Sequence, residues 1–372
     1  MNRKIGLLLL FISLGLLPGC WDLQEVDKLS FATTVGIDSG PGNSISLSLQ
    51  APITQAALPP VVGGGKQEKK FYLLNQTAKT VARAFDYLEA QTDRSLILNQ
   101  TKSVIFGETV ARRDIQPVLD HLVRTVQTPL SCYVFIADGI AAAEILKLDP
   151  AQNILPGMMF VSAGQSNSKY DMTYFIPLWQ FQQKLIHESK DTFAPLISVD
   201  AERRIYVISG LAVFCGNRMT GKLSGEEVEV FGLATGIKKA GVMAFSVPDG
   251  EVALRHVHGN SRINVKLQQG KPFFEIETNV QGSVSELTTP NMLLSPQRIN
   301  RYQKIIARSI EARMTDLVKK LQGYNSDIIN FGEEFRVQHQ KAWKKTDWRK
   351  VYPVVPFTVK AKVKILSDGR FR

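Results

Sequence analysis

Catalytic signatures are what this sequence most conspicuously lacks. No G-x-S-x-G elbow, no H-E-x-x-H pair and no C-x-x-C step occurs in its 372 residues. Those patterns set a nucleophile on a sharp turn, two imidazoles on one helix face, or two thiolates at metal-ligand spacing. Without them the chain offers no motif for an enzyme. Cysteine is scarce, at three. Cys132 and Cys215 each lie in an apolar strand-like run, "SCYVFIAD" and "GLAVFCGN", a setting for buried free thiols rather than a disulfide. There are five histidines. His121, His187 and His339 stand alone in helical segments. His256 and His258 flank Val257 and on a strand share a face, but no acidic or cysteine partner lies at ligand spacing, so exposed strand histidines are the plainer reading and no metal or cofactor is expected. Glu226-Glu227 and Glu333-Glu334 are adjacent pairs that diverge on a helix or strand. Long apolar runs are missing too: Ile205–Phe214 is strand-sized, whereas a bilayer span needs about 20 residues.

What is present begins at the N-terminus. Asn2-Arg3-Lys4 is a short positive region, and Ile5 to Leu17 is apolar apart from Gly6, Ser13 and Gly15. That length fits the core of a secretory signal. It ends Leu17-Pro18-Gly19-Cys20, which resembles a bacterial lipobox, and the resemblance implies that Cys20 receives a diacylglyceryl thioether and becomes the mature N-terminus. The alternative is a leader cut elsewhere, with Cys20 an incidental thiol. Two acyl chains, at about 0.8 kcal/mol per buried methylene, give stable anchoring where one does not. The net charge of +11 falls to +9 when Arg3 and Lys4 leave with the leader. A basic, exported surface suits anionic headgroups or acidic protein faces and disfavours nucleic acid.

The remaining chain reads as folded α+β (mixed α/β) protein. Its hydrophobic fraction is 44%, which is globular, and its length allows two or three domains. Phe31–Asp38 and Ile45–Gln50 are expected strands joined by the turn "SGPGNS". Gly63-Gly64-Gly65-Lys66 lacks the first glycine and the hydroxyl of a phosphate loop and reads as a linker. Helices are expected over Asn75–Ala90, from Asp114 onward, over Ile140–Lys147 capped by Asp138, and around Pro177, where Phe175, Leu178, Trp179, Gln182, Leu185 and Ile186 share a face. Strands 102–108 and 132–138 alternate with them. From about residue 199 the pattern turns antiparallel: Ile205–Cys215, Val228–Leu233, Val242–Val247, Val252–His258 and two further strands in 262–284. Ser295, Pro296 and Gly323 bracket the clearest helix, with Ile299, Tyr302, Ile306, Ile310, Leu317 and Leu321 at helical spacing. A second helix is expected at about Ser326–Trp343. The last strand alternates Phe357, Val359, Ala361, Val363 and Ile365 with Lys360, Lys362 and Lys364. The lysine row is either a solvated, edge-protecting face or, with Trp343 and Trp348 nearby, a partner or membrane surface. Both tryptophans can equally be core wedges. The division expected is a signal peptide at 1–19, an N-terminal domain at 20–198 and a C-terminal region at 199–372 with a candidate sub-boundary near 285–295, each domain a mostly antiparallel or mixed sheet with helices packed on it.

Three segments carry a family resemblance. "GCWDLQEVDKLSFATTVGID" resembles the mature start of the C subunits of spore germinant receptors, the Ger(x)C (GerAC-like) lipoproteins. "GLAVFCGNRMTGKLSGEEVEVFGLATG" and "SDIINFGEEFRVQHQKAWKKTDWRKVYPVVPFTVKAKVKIL" are similar to the family's middle and closing segments, with Cys215 where a polar residue is usual and a looser Asn330-Phe331-Gly332-Glu333 step. The resemblance implies a non-enzymatic lipoprotein, held on the outer face of the spore inner membrane, that joins two integral membrane subunits (A-type and B-type) in detecting nutrients and triggering germination. A solute-binding lipoprotein capturing a small nutrient is the alternative, and an exported hydrolase a distant third.

Overall fold

The computed structural model describes residues 25, 28–53, 71–124, 128–150, 157, 159–161, 174–237, 241–288 and 295–366. Cys20, the leader and the glycine loop at 59–70 lie outside them. Fifteen strands, β1 (Leu29–Phe31) to β15 (Phe357–Ile365), form three sheets among the described residues.

The large sheet runs β11-β10-β9-β7-β6-β2-β3-β4, from Arg218–Ser224, Ile205–Cys215, Phe193–Asp200, Tyr133–Ala137, Ser103–Phe106, Thr34–Ser39 and Ile45–Pro52 to Phe71–Ala78. The two-residue β8 (Ile176–Pro177) pairs with β7. Its centre, β2-β6-β7-β9, is parallel and its flanks are antiparallel. That mixture follows from the connections: short turns join β2 to β3 and β9 to β10, while helical crossovers separate the parallel strands. The helices on it are α1 (Val81–Glu89), α2 (Glu108–Arg112), α3 (Gln116–Arg124), α4 (Ala142–Lys147) and α5 (Leu178–Leu185). A small parallel pair joins β1 to β5 (Ser95–Ile97).

The C-terminal sheet runs β12-β13-β14-β15, with β12 at Val242–Val247, β13 at Gly250–Gln268 and β14 at Lys271–Leu287. α6 (Glu226–Ala234) and α7 (Pro296–Gly323) pack on one face, and α8 (Phe331–Gln338), α9 (Gln340–Trp343) and α10 (Trp348–Val351) close its end.

β10 links the two halves. Leu211 and Val213 belong to the core built with the C-terminal sheet and helices, while Ala212 and Phe214 belong to the core under α1 and α3. Successive strand residues point to opposite faces, so an uninterrupted "GLAVF" run is what a strand buried on both sides requires. The expected division at 198/199 falls within β9, whose neighbour in the same sheet is β10. The candidate sub-boundary near 285–295 overlaps the last residues of β14 and continues into residues outside the described set.

Several local expectations are corrected. Residues 71–78 form β4 against β3, and the helix starts only at Val81, capped by Thr80, whose side chain accepts the Arg83 N–H. Val228–Leu233 is part of helix α6 and not a strand. Val228, Val230, Phe231, Leu233 and Ala234 are all buried, and an element enclosed on every side shows no one-sided period to read. α4 is capped by a distant residue: the Ala142 and Ala143 N–H groups donate to the Asp38 carboxylate (2.8 and 3.0 Å), while Asp138 accepts from Lys222. The helix after Pro177 is short. Leu178, Phe181 and Leu185 face inward, and Trp179 and Ile186 are exposed. Residues 252–268 form one strand with an irregularity between Arg255 and His258, where His256 has φ +52°. The expected helix over Ser326–Trp343 is a turn followed by α8 and α9, broken at His339.

Candidate functional site

The closing strand presents the lysine row as its alternation demands. Lys360, Lys362 and Lys364 are exposed, and Phe357, Val359, Ala361 and Val363 turn toward the core. β15 lies parallel to β14, with Lys360 opposite Glu277, Lys362 opposite Asn279 and Lys364 opposite Gln281. Its outer backbone edge is closed by α7: Glu311 Oε1 accepts the Ala361 N–H and Gln303 Oε1 the Ile365 N–H, each at 2.9 Å. Side-chain acceptors thus occupy donors that would otherwise template another strand.

The two tryptophans are placed differently from each other. Trp348 is 5% exposed and sits among Phe274, Phe335, Trp343 and Tyr352 at centroid distances of 5.6–6.0 Å. It therefore offers no ring face to a partner. Trp343 is half-buried, edge-on to Phe335 at 5.8 Å. Phe331 stacks on Phe274 at 4.3 Å. The Phe331-Gly332 step has a steric cause: a β-carbon on Gly332 would stand 2.5 Å from Trp348 Nε1 and 2.8 Å from the Ser189 carbonyl oxygen.

Under this aromatic lid lies a polar node that joins distant parts of the chain. Asp327, 1% exposed, accepts the N–H groups of Phe331 (2.8 Å) and Gly332 (2.6 Å) and the indole N–H of Trp348 (3.1 Å). Asp191, equally buried, accepts the N–H groups of Asp327 (2.7 Å) and Gly216 (2.9 Å) and two hydrogen bonds from Arg349, both 2.7 Å. The fork geometry of a guanidinium suits such paired bonds. Ser326 Oγ donates to the Phe214 carbonyl, and the Tyr352 hydroxyl to the Ser326 carbonyl. Ser189 Oγ and Lys190 reach Glu333 across the same seam. None of these partnerships has a sequence signature, because 136 residues separate Asp191 from Asp327 and 158 separate it from Arg349. The Asp-Ile, Phe-Gly and paired-tryptophan features of the resemblance mark only the second half of the node.

Burial pushes the Asp327 carboxyl up to about 7, against the opposing pull of the Gly332 N–H; Asp191 adds to the rise. A carboxyl that holds its proton more tightly folded than unfolded adds stability that is complete below about pH 4 and disappears as pH rises through about 7. Denaturant titrations of the wild type are expected to show that decline, and Asp327→Asn, which cannot ionise, is expected to flatten it. An unchanged slope in the variant would remove Asp327 as its source.

A second cleft, about 650 Å³, opens at the carboxyl ends of β2, β6 and β7, the usual ligand position in such sheets. Most of its charged groups have structural partners. Asp38 holds the α4 amides, Lys222 bridges Glu108 and Asp138, and Arg112 pairs with Glu108. Burial raises the Asp38 pKa, and Lys222 holds Asp138 low despite its own burial. Among the described residues no group of three or more His, Cys, Asp or Glu could hold a metal ion. Cys132 is buried with its thiol pushed up to about 12, and Cys215 is only half-buried beside Arg349; neither is in a disulfide. His256 and His258 are exposed.

Residues 22–199 match the domain described as spore germination protein N-terminal domain, and residues 209–369 match the one described as spore germination B3/GerAC like, C-terminal. The chain belongs to the GerAC-like family of spore germination proteins. It is 24% identical to spore germination protein B3 of Bacillus subtilis (strain 168) over 97% of this chain and 96% of that one. It is 23% identical to spore germination protein GerQC of Bacillus cereus, covering 98% and 99%. The crystal structure of the GerBC protein has the same fold, with a TM-score of 0.55 and 19% identity over 89% of this chain and 96% of that one. Seen in this GerAC-like chain, the polar node ties the two family segments together: Asp191 lies in the first, and Asp327 and Arg349 in the second. No described helix is long and apolar enough to cross a membrane.

Proposed function

We propose that this GerAC-like chain is a non-enzymatic lipoprotein subunit of a nutrient germinant receptor, moored through Cys20 to the outer face of the spore inner membrane, where it assembles with two integral membrane subunits and couples their response. The observation that carries the reading is the match of both halves to the germination family, at near-full length on both sides of each comparison. Two features fit it. In the sheet-end cleft Lys222, Glu108, Asp138 and Arg112 are tied up in ion pairs and Asp38 in capping α4, so these groups are engaged in holding the fold. The Lys360, Lys362 and Lys364 row stands free on an exposed face, where each cation near an anionic membrane contributes about 1 kcal/mol. The proposed working division is 20–198 and 199–372, joined through β10 and the Asp191 node.

Fractionation tests this. Cys20→Ala is expected to move the chain from the membrane to the soluble fraction and to impair the nutrient response. Reversing Lys360, Lys362 and Lys364 to glutamate is expected to weaken co-sedimentation with anionic vesicles. A soluble Cys20→Ala chain that still supports normal germination would sink the anchoring role, and co-sedimentation indifferent to the lysines would leave them as a solvated face.

A further inference from the structure

The face of the large sheet under α1 and α3 holds two joined cavities. The outer one, about 610 Å³, lies where the β2–β3 turn, the step from β4 into α1 and the start of α3 meet. The inner one, about 120 Å³, lies between α1 and α3 on the sheet. Val81, Ala82 and His121 line both and form the throat between them. The chain segments that pass the outer cavity, 39–45, 78–82 and 110–121, are described throughout. Residues 54–70, outside the described set, join β3 to β4 at the opposite end of the pair: Ile45 meets Ala78 at the cleft, and Pro52 meets Phe71 about 23 Å along the strands. Residues 125–127 follow Arg124 at the far end of α3.

The two cavities differ in chemistry. The floor of the inner one follows from strand register. Leu49 stands opposite Val35 on the antiparallel β2–β3 pair, and Leu47 shares the face of Leu49. Phe85 and Leu122 close it from the helices, so its lining is apolar apart from Asp86 and His121. Asp86 pairs with Arg83 at 3.7 Å. Burial pushes the His121 pKa below its usual value, so the imidazole is uncharged at neutral pH. The rim of the outer cavity is basic. Lys79 is exposed there and makes no hydrogen bond or ion pair with a described residue. Arg113 donates to Asn43 Oδ1 at 3.3 Å, an uncharged partner. Asp114, the one acid lining this cavity, accepts the Gln116 N–H (3.0 Å) at the start of α3. Two cations thus face one carboxylate that is already engaged, and both helices begin here with the positive ends of their dipoles.

We propose that this cleft binds a short, branched aliphatic carboxylate, with its charged end at Lys79 and Arg113 and its alkyl group passed between Val81 and His121 into the inner cavity. An apolar chamber with a few convergent polar groups at its mouth is the usual form of a small-molecule site. Volume sets the size of the alkyl group. A dry cavity of about 150 Å³ accepts benzene, so one of about 120 Å³ fits a branched group of about four carbons and is too small for a fatty acyl chain. Charge sets the sign of the other end, since an anion supplies the partner that Lys79 lacks. The site lies within the N-terminal half and is independent of how the chain is held at a membrane.

Isovalerate is the probe, and the methyl resonances of Leu47, Leu49 and Val81 in the full chain are the readout. Isovalerate is expected to shift all three saturably. Isovaleramide, which keeps the alkyl group without the charge, is expected to bind at least about tenfold more weakly, and acetate, which has no alkyl body, to leave the inner methyls unmoved. Lys79→Gln combined with Arg113→Gln, both at exposed positions, is expected to lower the affinity for isovalerate at least about tenfold. Ala82→Leu, which fills the throat from an exposed helical position, is expected to abolish the shifts. The proposal is overturned if isovalerate gives no saturable shift, if isovaleramide matches it, or if either variant binds as the wild type does. Decanoate binding more tightly than isovalerate would overturn it too, because the cleft would then be one for lipid chains.

Discussion

Arg349→Ala is expected to lower the stability of the chain by about 3 kcal/mol, read from the shift in denaturant midpoint. The cause is what it leaves behind. Asp191 is 1% exposed and takes both guanidinium bonds. Removing one partner of a buried pair costs about 3–5 kcal/mol because the other charge stays in place unpaired. The lower end applies because the Arg349 side chain is itself 36% exposed and water screens it in part. Asp191→Ala is expected to cost at least as much, since it also frees the N–H groups of Asp327 and Gly216. The double variant is expected to lose clearly less than the sum. Additive losses would show that the two residues do not act as one joint.

Trp348→Ala carries the second large expected effect, about 3–5 kcal/mol for an aromatic cut from a packed core. It opens the cluster formed with Phe274, Phe335 and Tyr352 and removes the indole N–H from Asp327. Trp348→Phe keeps most of the volume but not the donor, so it is expected to fall between, with about 1–3 kcal/mol lost for a buried acceptor deprived of one bond. Trp343→Ala, half-buried beside Phe335, is expected to cost less than either. Equal losses at Trp343 and Trp348 would contradict the asymmetry in burial.

How much of this could be read from the residues depends on where the information lies. The α7 helix was fully legible, because Ser295, Pro296 and Gly323 mark its ends and a one-sided apolar stripe marks its face. β15 was equally plain from strict alternation. α6 was not, since burial on all sides erases the period, and its valines and phenylalanine favour a strand by propensity. The Asp38 cap of α4 was hidden because the capping carboxylate comes from β2 while Asp138, adjacent in sequence, offered a plausible but different role. The residues suggest the tryptophans and the lysine row as one surface, but which ring is enclosed depends on Gly332 and Asp327, which lie apart from both in the pattern. The Asp191–Asp327–Arg349 joint arises only when segments far apart in the chain meet.

β10, whose alternate side chains serve two different cores, has a mechanical consequence. There is no slack between the halves at that strand. A displacement of the C-terminal sheet drags Leu211 and Val213, and through the same backbone Ala212 and Phe214 press on the helices of the other half. Among the described residues, a push on one core at this point thus reaches the other through a strand rather than a loop.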